Sequence, residues 1–137
     1  MTELIRRMTE PLRRRIALLV GRAIVTLIDD TTGLQQAQVS LLAGEIRDKI
    51  DRMQQYGFTS VPLPGAQGAA VFIGGDREHG VLICTDDARY RLKNMASGEV
   101  AIYTDQGDKI HFKRGGTIEI VASSKVTING TSLEVLP

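Results

Sequence analysis

Five short stretches near the end of the chain point to its architecture: EVAIY (residues 99–103), KIHF (109–112), TIEIV (117–121), KVTIN (125–129) and SLEV (132–135). Apolar and polar side chains alternate within each stretch, and Gly, Asp, Asn or Ser occurs in each connection. This alternation predicts a β-meander with one apolar face. Such short strands cannot close a core alone, and their apolar face would stay uncovered. We therefore expect identical copies to wrap their sheets around a shared axis, three copies forming a triangular prism.

The positions of the meander that would face this axis are all apolar. The candidates for a trimer core are Ile102, Ile110, Phe112, Ile118, Ile120, Val126, Ile128, Leu133 and Val135. His111 lies between Ile110 and Phe112 in the sequence, so its side chain belongs to the opposite face. We expect His111 to be exposed on the prism or bonded to a neighbouring chain.

The middle of the chain predicts a second all-β region. Strand-like stretches occur at residues 24–28, 36–41, 69–73 and 80–85, and turn residues separate them. Several short strands with Gly-rich turns and few aromatic residues are typical of a small closed barrel. Residues 45–55 fit either a helix or an extended segment, and both stay open. Pro62 and Pro64 exclude a central strand over residues 56–65, which we expect to form an extended crossing. Cys84 ends an apolar strand and is expected to be buried.

The N-terminal region differs from the rest in charge and periodicity. Apolar side chains recur at three- and four-residue spacing over residues 4–19, which predicts an amphipathic helix that Pro11 breaks or restarts. Residues 1–22 carry six arginines and two glutamates, a net charge of +4, and the remainder carries −3. A basic arm on a mildly acidic body is typical of a docking segment. Its apolar stripe could pack on its own domain or on a partner protein.

Composition excludes several classes of protein. The chain has 137 residues, of which 42 % are hydrophobic, so it can support one compact domain with a short appendage. No apolar run approaches the roughly 20 residues that a membrane-spanning helix needs, and we expect no secretory signal. One cysteine and two histidines supply neither a disulfide framework nor a metal site. A hydrolase would need a nucleophile, a base and an orienting group together, and we find no such set, so we expect no enzyme.

The chain contains the motifs YGFTS (56–60), PLPG (62–65), FIGGDR (72–77), HG (79–80), DDARYRLK (86–93), GEVAIYTD (98–105) and DKIHFK (108–113). Together these motifs resemble the Mu-type phage baseplate assembly proteins, the central spikes of contractile tails. The residues of these motifs that we expect to have structural roles are Tyr56, Gly57, Phe58, Pro62, Pro64, Gly65, Gly74, Gly75, Asp76, His79 and Gly80.

The resemblance implies an all-β homotrimer. Its parts would be a basic helical arm (residues 1–19), an OB-fold domain (20–95) and a triple-stranded intertwined β-helix (96–137). It further implies assembly in the host cytoplasm and a place at the centre of the virion's tail baseplate. The partners would be a hub protein and, transiently, the host outer membrane that the spike pierces on sheath contraction. Candidate residues for docking to the hub are Arg6, Arg7, Arg13, Arg14 and Arg15.

The resemblance also implies an iron site that this chain cannot supply. Spikes of this family often end in an apex where His-x-His pairs hold an iron ion, and neither His79 nor His111 has that spacing. We therefore expect no cofactor. Three explanations stay open: the apex is absent, the chain is part of a longer one, or a separate spike-tip protein caps the end.

The alternative function is an OB-fold module that binds nucleic acid or oligosaccharide. OB-folds bind single strands through a basic groove and stacked aromatic side chains. Beyond residue 22 this chain is acidic, contains no Trp and has few aromatic residues. We therefore expect no nucleic-acid partner.

Overall fold

A computed structural model of the protein describes residues 1–131 and residue 133, with only the backbone of Ala43. The chain divides into two compact units, Met1–Ala88 and Arg89–Pro137. The described residues form helix α1 (Thr2–Ala17) and strands β1 (Val20–Asp29), β2 (Gln36–Ser40), β3 (Ile46–Arg52), β4 (Gln67–Phe72), β5 (Gly80–Asp86), β6 (Val100–Tyr103), β7 (Lys109–Lys113) and β8 (Thr117–Val121). Two short 3-10 turns, Leu42–Gly44 and Ile73–Gly75, complete the secondary structure of this part of the chain. The predicted domain boundaries at residues 19/20 and 95/96 stay predictions.

Strands β1 to β5 form a closed barrel, as the sequence predicted. Their order around the barrel is β1-β2-β3-β5-β4, and the antiparallel pairing of β1 with β4 closes it. Strands β3 and β5 are parallel, whereas the other neighbours are antiparallel. This five-stranded closed arrangement is that of an OB-fold.

Small and branched side chains fill the interior of the barrel. Val25, Val39, Phe72 and Leu82 are completely buried, and alanines occupy the positions between them. Gly80 makes room for the largest of these side chains, because a Cβ atom there would lie 2.8 Å from Cε1 of Phe72 and 2.9 Å from Cγ2 of Ile50. The glycine that ends the HG motif is therefore required by core packing.

The segment that the sequence left open is a strand. Residues Ile46–Arg52 form β3, with Ile50 and Arg52 facing inward. Lys49 has a positive φ of 54°, and the pairing with β2 shifts register between Ala37 and Val39. This irregularity changes the side-chain alternation within β3, which explains why the sequence pattern resembled neither a clean strand nor a clean helix.

The prediction that Pro11 interrupts the N-terminal helix is wrong. Helix α1 continues from Thr2 to Ala17 with Pro11 inside it. Proline removes one backbone donor and so leaves the carbonyl group of Arg7 without its helical partner. Every residue of α1 is exposed, so a water molecule can donate a hydrogen bond to this carbonyl group instead. The Leu and Arg residues that follow Pro11 are strong helix formers.

The prediction that Cys84 is buried is also wrong, because its thiol-bearing side chain is exposed. In the pairing of β4 with β5, Ala69 lies opposite Cys84 and Ala70 lies opposite Leu82. Ile83 is therefore an extra residue on β5, a β-bulge that shifts the alternation by one position. Leu82 points into the barrel, and after the bulge Cys84 points outward.

The second unit is a three-stranded antiparallel meander in the order β6-β7-β8. The first three predicted stretches are confirmed as strands. The fourth, residues 125–129, lies outside the strands of the described chain, so that prediction is wrong for a single copy. A strand requires a paired neighbour, and the chain offers this segment none within the described residues. The fifth stretch, 132–135, lies outside the described residues apart from Leu133.

Nowhere in the part of the chain described does a helix have the length and apolarity that crossing a membrane demands.

Candidate assembly surfaces

The meander has an uncovered apolar face, which we call the sheet face. Cross-strand pairing aligns its side chains in two rows: Val100–Phe112–Ile118 and Ile102–Ile110–Ile120. These six side chains are between 38 and 61 % exposed. Five of them belong to the predicted trimer core, and the structure brings those five together on one surface. Val100 was missing from the candidates, although the alternation within EVAIY already assigns it to the same face as Ile102.

The remaining trimer-core candidates do not join the sheet face. Val126, Ile128 and Leu133 are exposed and lie after β8, outside the strands of the described residues. Val135 lies outside the described residues. The role of all these residues in a trimer stays a prediction.

The opposite face of the meander carries a compact polar network. Oε2 of Glu99 accepts hydrogen bonds from Nε2 of His111, at 3.1 Å, and from the backbone N–H of Ala96, also at 3.1 Å. Oε1 of Glu99 accepts from the backbone N–H of Arg114 at 3.0 Å. Chiefly because of the backbone N–H of Arg114, and also because of Ala96 and His111, the pKa of Glu99 lies below its ordinary value.

The prediction that His111 is exposed is wrong, whereas its alternative, a bond to a neighbouring chain, stays a prediction. The residue is only 8 % exposed, and its partner Glu99 lies in the same chain. Its Nδ1 atom is buried and has no hydrogen-bond partner among the described residues. Charged side chains on the same face flank His111: Glu119, opposite it on β8, forms ion pairs with Lys109 at 3.1 Å and with Lys113 at 2.9 Å, both on β7. These ion pairs lower the pKa of Glu119.

Helix α1 presents a second apolar surface, which we call the helix stripe: Leu4, Ile5, Met8, Leu12 and Ile16. These side chains are 55 to 74 % exposed, so the barrel of the same chain does not cover them. The candidate docking residues Arg6, Arg7, Arg13, Arg14 and Arg15 are exposed as well. Among the contacts of these arginines, Arg7 lies 3.7 Å from Glu3 one turn earlier. Of the two alternatives for the helix stripe, the structure excludes packing on its own barrel.

The first group of motif residues forms the crossing between β3 and β4: Tyr56, Gly57, Phe58, Pro62, Pro64 and Gly65. The aromatic side chain of Tyr56 is fully exposed and that of Phe58 largely so. Gly65 has a φ of 96°, and its N–H donates to the carbonyl of Val25 at 2.8 Å, which brings the crossing back to β1. The crossing is therefore a shaped loop and the prediction of an extended, non-strand segment is confirmed.

The second group runs from the 3-10 turn after β4 to the first residue of β5 and comprises Gly74, Gly75, Asp76, His79 and Gly80. Oδ2 of Asp76 lies 2.9 Å from Nδ1 of His79, and Oδ1 accepts the backbone N–H of Glu78. The backbone N–H of Glu78 and the ring of His79 lower the pKa of Asp76. This arrangement closes a tight turn, as predicted.

Sequence reasoning missed the buried Arg52, which ties the crossing to the barrel. Its Nη1 atom donates to Oε1 of Gln35 and to the carbonyl of Ser60, both at 2.7 Å. Its Nη2 atom donates to the hydroxyl groups of Ser60 and Thr85 at 3.0 Å. Burial lowers the pKa of this guanidinium group, and Asp30 partly opposes that effect. An arginine at an inward-facing position of a strand indicates a buried polar contact. The sequence could not identify the partners of Arg52, because they lie up to 33 residues away.

The comparisons with known proteins agree with these features. The family model described as "Bacteriophage Mu Gp45, N-terminal" matches residues 22–89, which include all of the barrel except the first two residues of β1. The "Baseplate puncturing device gp45" of Escherichia phage Mu is 36 % identical over 130 residues, covering 90 % of this chain and 66 % of that protein. The "Mu-like prophage FluMu protein gp45" of Haemophilus influenzae is 33 % identical over 130 residues, covering 95 % and 70 %.

This chain belongs to the Mu Gp45 family. The resemblance drawn from the sequence motifs is thereby confirmed. The motifs at residues 56–80 lie within the range that the family model matches. The chain spans about two thirds of the length of its phage Mu relative.

In the described part of the chain, no three His, Cys, Asp or Glu residues come together in a way that could hold a metal ion.

Proposed function

We propose that this Gp45-family chain forms a homotrimeric spike, in which the meanders of three copies wind into a triple-stranded β-helix. The observation that carries this proposal is the sheet face, where six large apolar side chains lie exposed on one side of three strands. A sheet needs a second layer to cover such a face. Complete burial of an Ile or Phe side chain stabilises by about 1.5–3 kcal/mol, so covering these half-exposed side chains yields on the order of 1 kcal/mol each. Six of them per copy favour a stable assembly.

Family membership gives the location and the broad role: a structural component of the tail baseplate in the virion, as the sequence predicted. We extend to this chain the puncturing role that the name of the phage Mu relative states. In this proposal sheath contraction supplies the work, and the spike at the baseplate centre meets the host outer membrane. The spike must then be stiff and has no need of a reactive group or cofactor. Intertwined strands provide stiffness because every strand edge gains a partner.

We further propose that the arginines of α1 dock the spike on the baseplate hub. They are exposed and concentrated in a segment of net charge +4, which suits an acidic protein surface. The test is a pull-down with the purified hub protein of the same phage. Arg13→Glu/Arg14→Glu should reduce hub binding, whereas Arg91→Glu/Lys93→Glu, an equal charge change outside α1, should not. Equal retention of hub by both variants would contradict docking through α1.

One observation favours the alternative of an OB-fold binding module. Tyr56 and Phe58 are exposed on a loop of the barrel and could stack against bases or sugar rings. The acidic charge of the chain beyond residue 22 opposes nucleic-acid binding. Passage through heparin and single-stranded DNA columns at physiological salt separates the two functions. Retention that Tyr56→Ala abolishes would support the binding module, and free passage would support the spike.

A further inference from the structure

One wall of the barrel has an apolar outer surface. We call it the barrel wall and define it as Val20, Ile24, Ala69, Val71, Val81, Ile83 and Cys84. Strand pairing aligns Val20 with Val71 and Val71 with Val81, and on the next row Ala69 lies between Arg22 and Cys84. The exposed Arg22 therefore interrupts the apolar surface on its β1 side. The outward positions of β2 and β3 are mostly polar, including Gln36, Gln38 and Asp51, with Ile46 as an apolar exception. Apart from Arg22, the wall is thus more apolar than the side of the barrel formed by β2 and β3.

The same chain carries the helix stripe, a second apolar surface without a partner. The end of α1 lies against the 3-10 turn Ile73–Gly75, since a Cβ atom on Gly75 would lie 2.7 Å from the carbonyl oxygen of Arg15. Only Leu18 and Leu19 connect α1 to β1. Because this connection is short and the end of α1 contacts the turn Ile73–Gly75, α1 cannot fold back over the wall of its own barrel.

We propose that the helix stripe of one copy packs on the barrel wall of a neighbouring copy. The inference rests on the proposed homotrimer, in which three identical exchanges of this kind close a ring. From Leu4 to Ile16 the stripe is about 18 Å long. The wall extends about 13 Å along β1 and about 10 Å across three strands, so the two surfaces are of similar size.

The charges around the two surfaces are complementary. Helical periodicity of 3.6 residues per turn puts Arg15 on the side of α1 that carries the stripe. At the margins of the wall, Asp51 lies opposite Val81 and Asp86 lies opposite Gln67, the partner of Ile24. Arg15 can therefore pair with carboxylates at the margins of the wall, away from Arg22 in its middle row. Arg6, Arg13 and Arg14 project from the opposite side of α1, where they stay accessible to the hub.

The single cysteine of the chain lies in the barrel wall and makes the proposal testable. Leu12→Cys adds a thiol to the helix stripe, and Glu10→Cys adds one to the polar side of the same helix. With a short bis-maleimide, Leu12→Cys should give covalent dimers and trimers through Cys84 of the neighbour, and Cys84→Ser should abolish them. Glu10→Cys should give few. Intramolecular linkage within one chain, or equal cross-linking of both variants, would overturn the proposal.

Thiol reactivity provides a second measurement on the native protein. If a neighbouring helix covers the wall, Cys84 should react with Ellman's reagent about tenfold more slowly in the native trimer than in Met8→Asp. Equal fast rates in a protein that has the mass of a trimer would overturn the wall contact and leave the proposed spike standing. A monomeric mass would instead overturn the proposed spike itself.

Discussion

Oε2 of Glu99 lies 3.1 Å from Nε2 of His111, so the residue that precedes β6 is bonded to the centre of β7. The same carboxylate accepts the backbone N–H groups of Ala96, which precedes β6, and of Arg114, which follows β7. Three separate segments of the meander therefore converge on one side chain. Because this bonding is on the polar face, it leaves the apolar sheet face uncovered on the other side.

We predict that Glu99→Gln lowers the melting temperature of the meander at neutral pH. The folded-state pKa of Glu99 is below its ordinary value of 4.5, so its stabilising contribution is complete above that pH. The contribution is lost as the pH falls through the folded pKa. The difference in melting temperature between native protein and variant should therefore be largest near neutral pH and should shrink as the pH is lowered below 4.5. A difference that does not change with pH would contradict this role.

Ile118→Asp should prevent trimer formation. Ile118 ends the row Val100–Phe112–Ile118 on the sheet face, so a carboxylate there would be buried near two further copies of itself. Val126→Asp should act in the same way if residues 125–129 gain partners in the trimer. Thr117→Asp is the matched control, since it adds the same charge on the polar side of β8, next to Lys113. Sedimentation should show a monomer for Ile118→Asp and a trimer for Thr117→Asp.

Arg52→Lys should destabilise the barrel by about 2–4 kcal/mol, because an ammonium group cannot replace four hydrogen bonds from a buried guanidinium. Arg47→Lys is the control. Arg47 pairs with Glu45 and Glu78 at the surface, and such pairs contribute less than about 1 kcal/mol. Urea unfolding measures both variants, and similar losses for the two would show that Arg52 does not hold the crossing to the barrel.

Gly80→Ala should destabilise the barrel by about 1–3 kcal/mol, since its added methyl group would overlap Phe72 and Ile50 in the core. Gly33→Ala provides the comparison. A Cβ atom there meets no heavy atom of the described residues within 4 Å, so this substitution should have little effect. Thermal unfolding that ranks the two variants in the reverse order would contradict the packing described for the HG motif.

Short-range patterns were sufficient to predict the parts of the fold in which periodicity is regular. Alternation in EVAIY, KIHF and TIEIV predicted three strands and the side chains on one face. Turn residues between β-forming stretches predicted the closed barrel. These predictions depend on positions two residues apart, which sequence displays directly.

Features that depend on distant partners could not be predicted in this way. The bulge at Ile83, which turns Cys84 outward, exists only in the pairing with β4. His111 is buried beside its partner Glu99 and the lysine–glutamate pairs across two strands. Pro11 broke a local rule without ending the helix, because the surrounding helix is exposed and rich in helix formers. Long-range contacts and solvent access decide all three.

The most direct test of the central claim is the mass of the native protein, measured by light scattering on a sizing column. The chain has a mass of 15.0 kDa, so the proposed trimer predicts about 45 kDa. A stable species near 15 kDa would show that the sheet face stays uncovered or is covered within one chain. That result would contradict the spike.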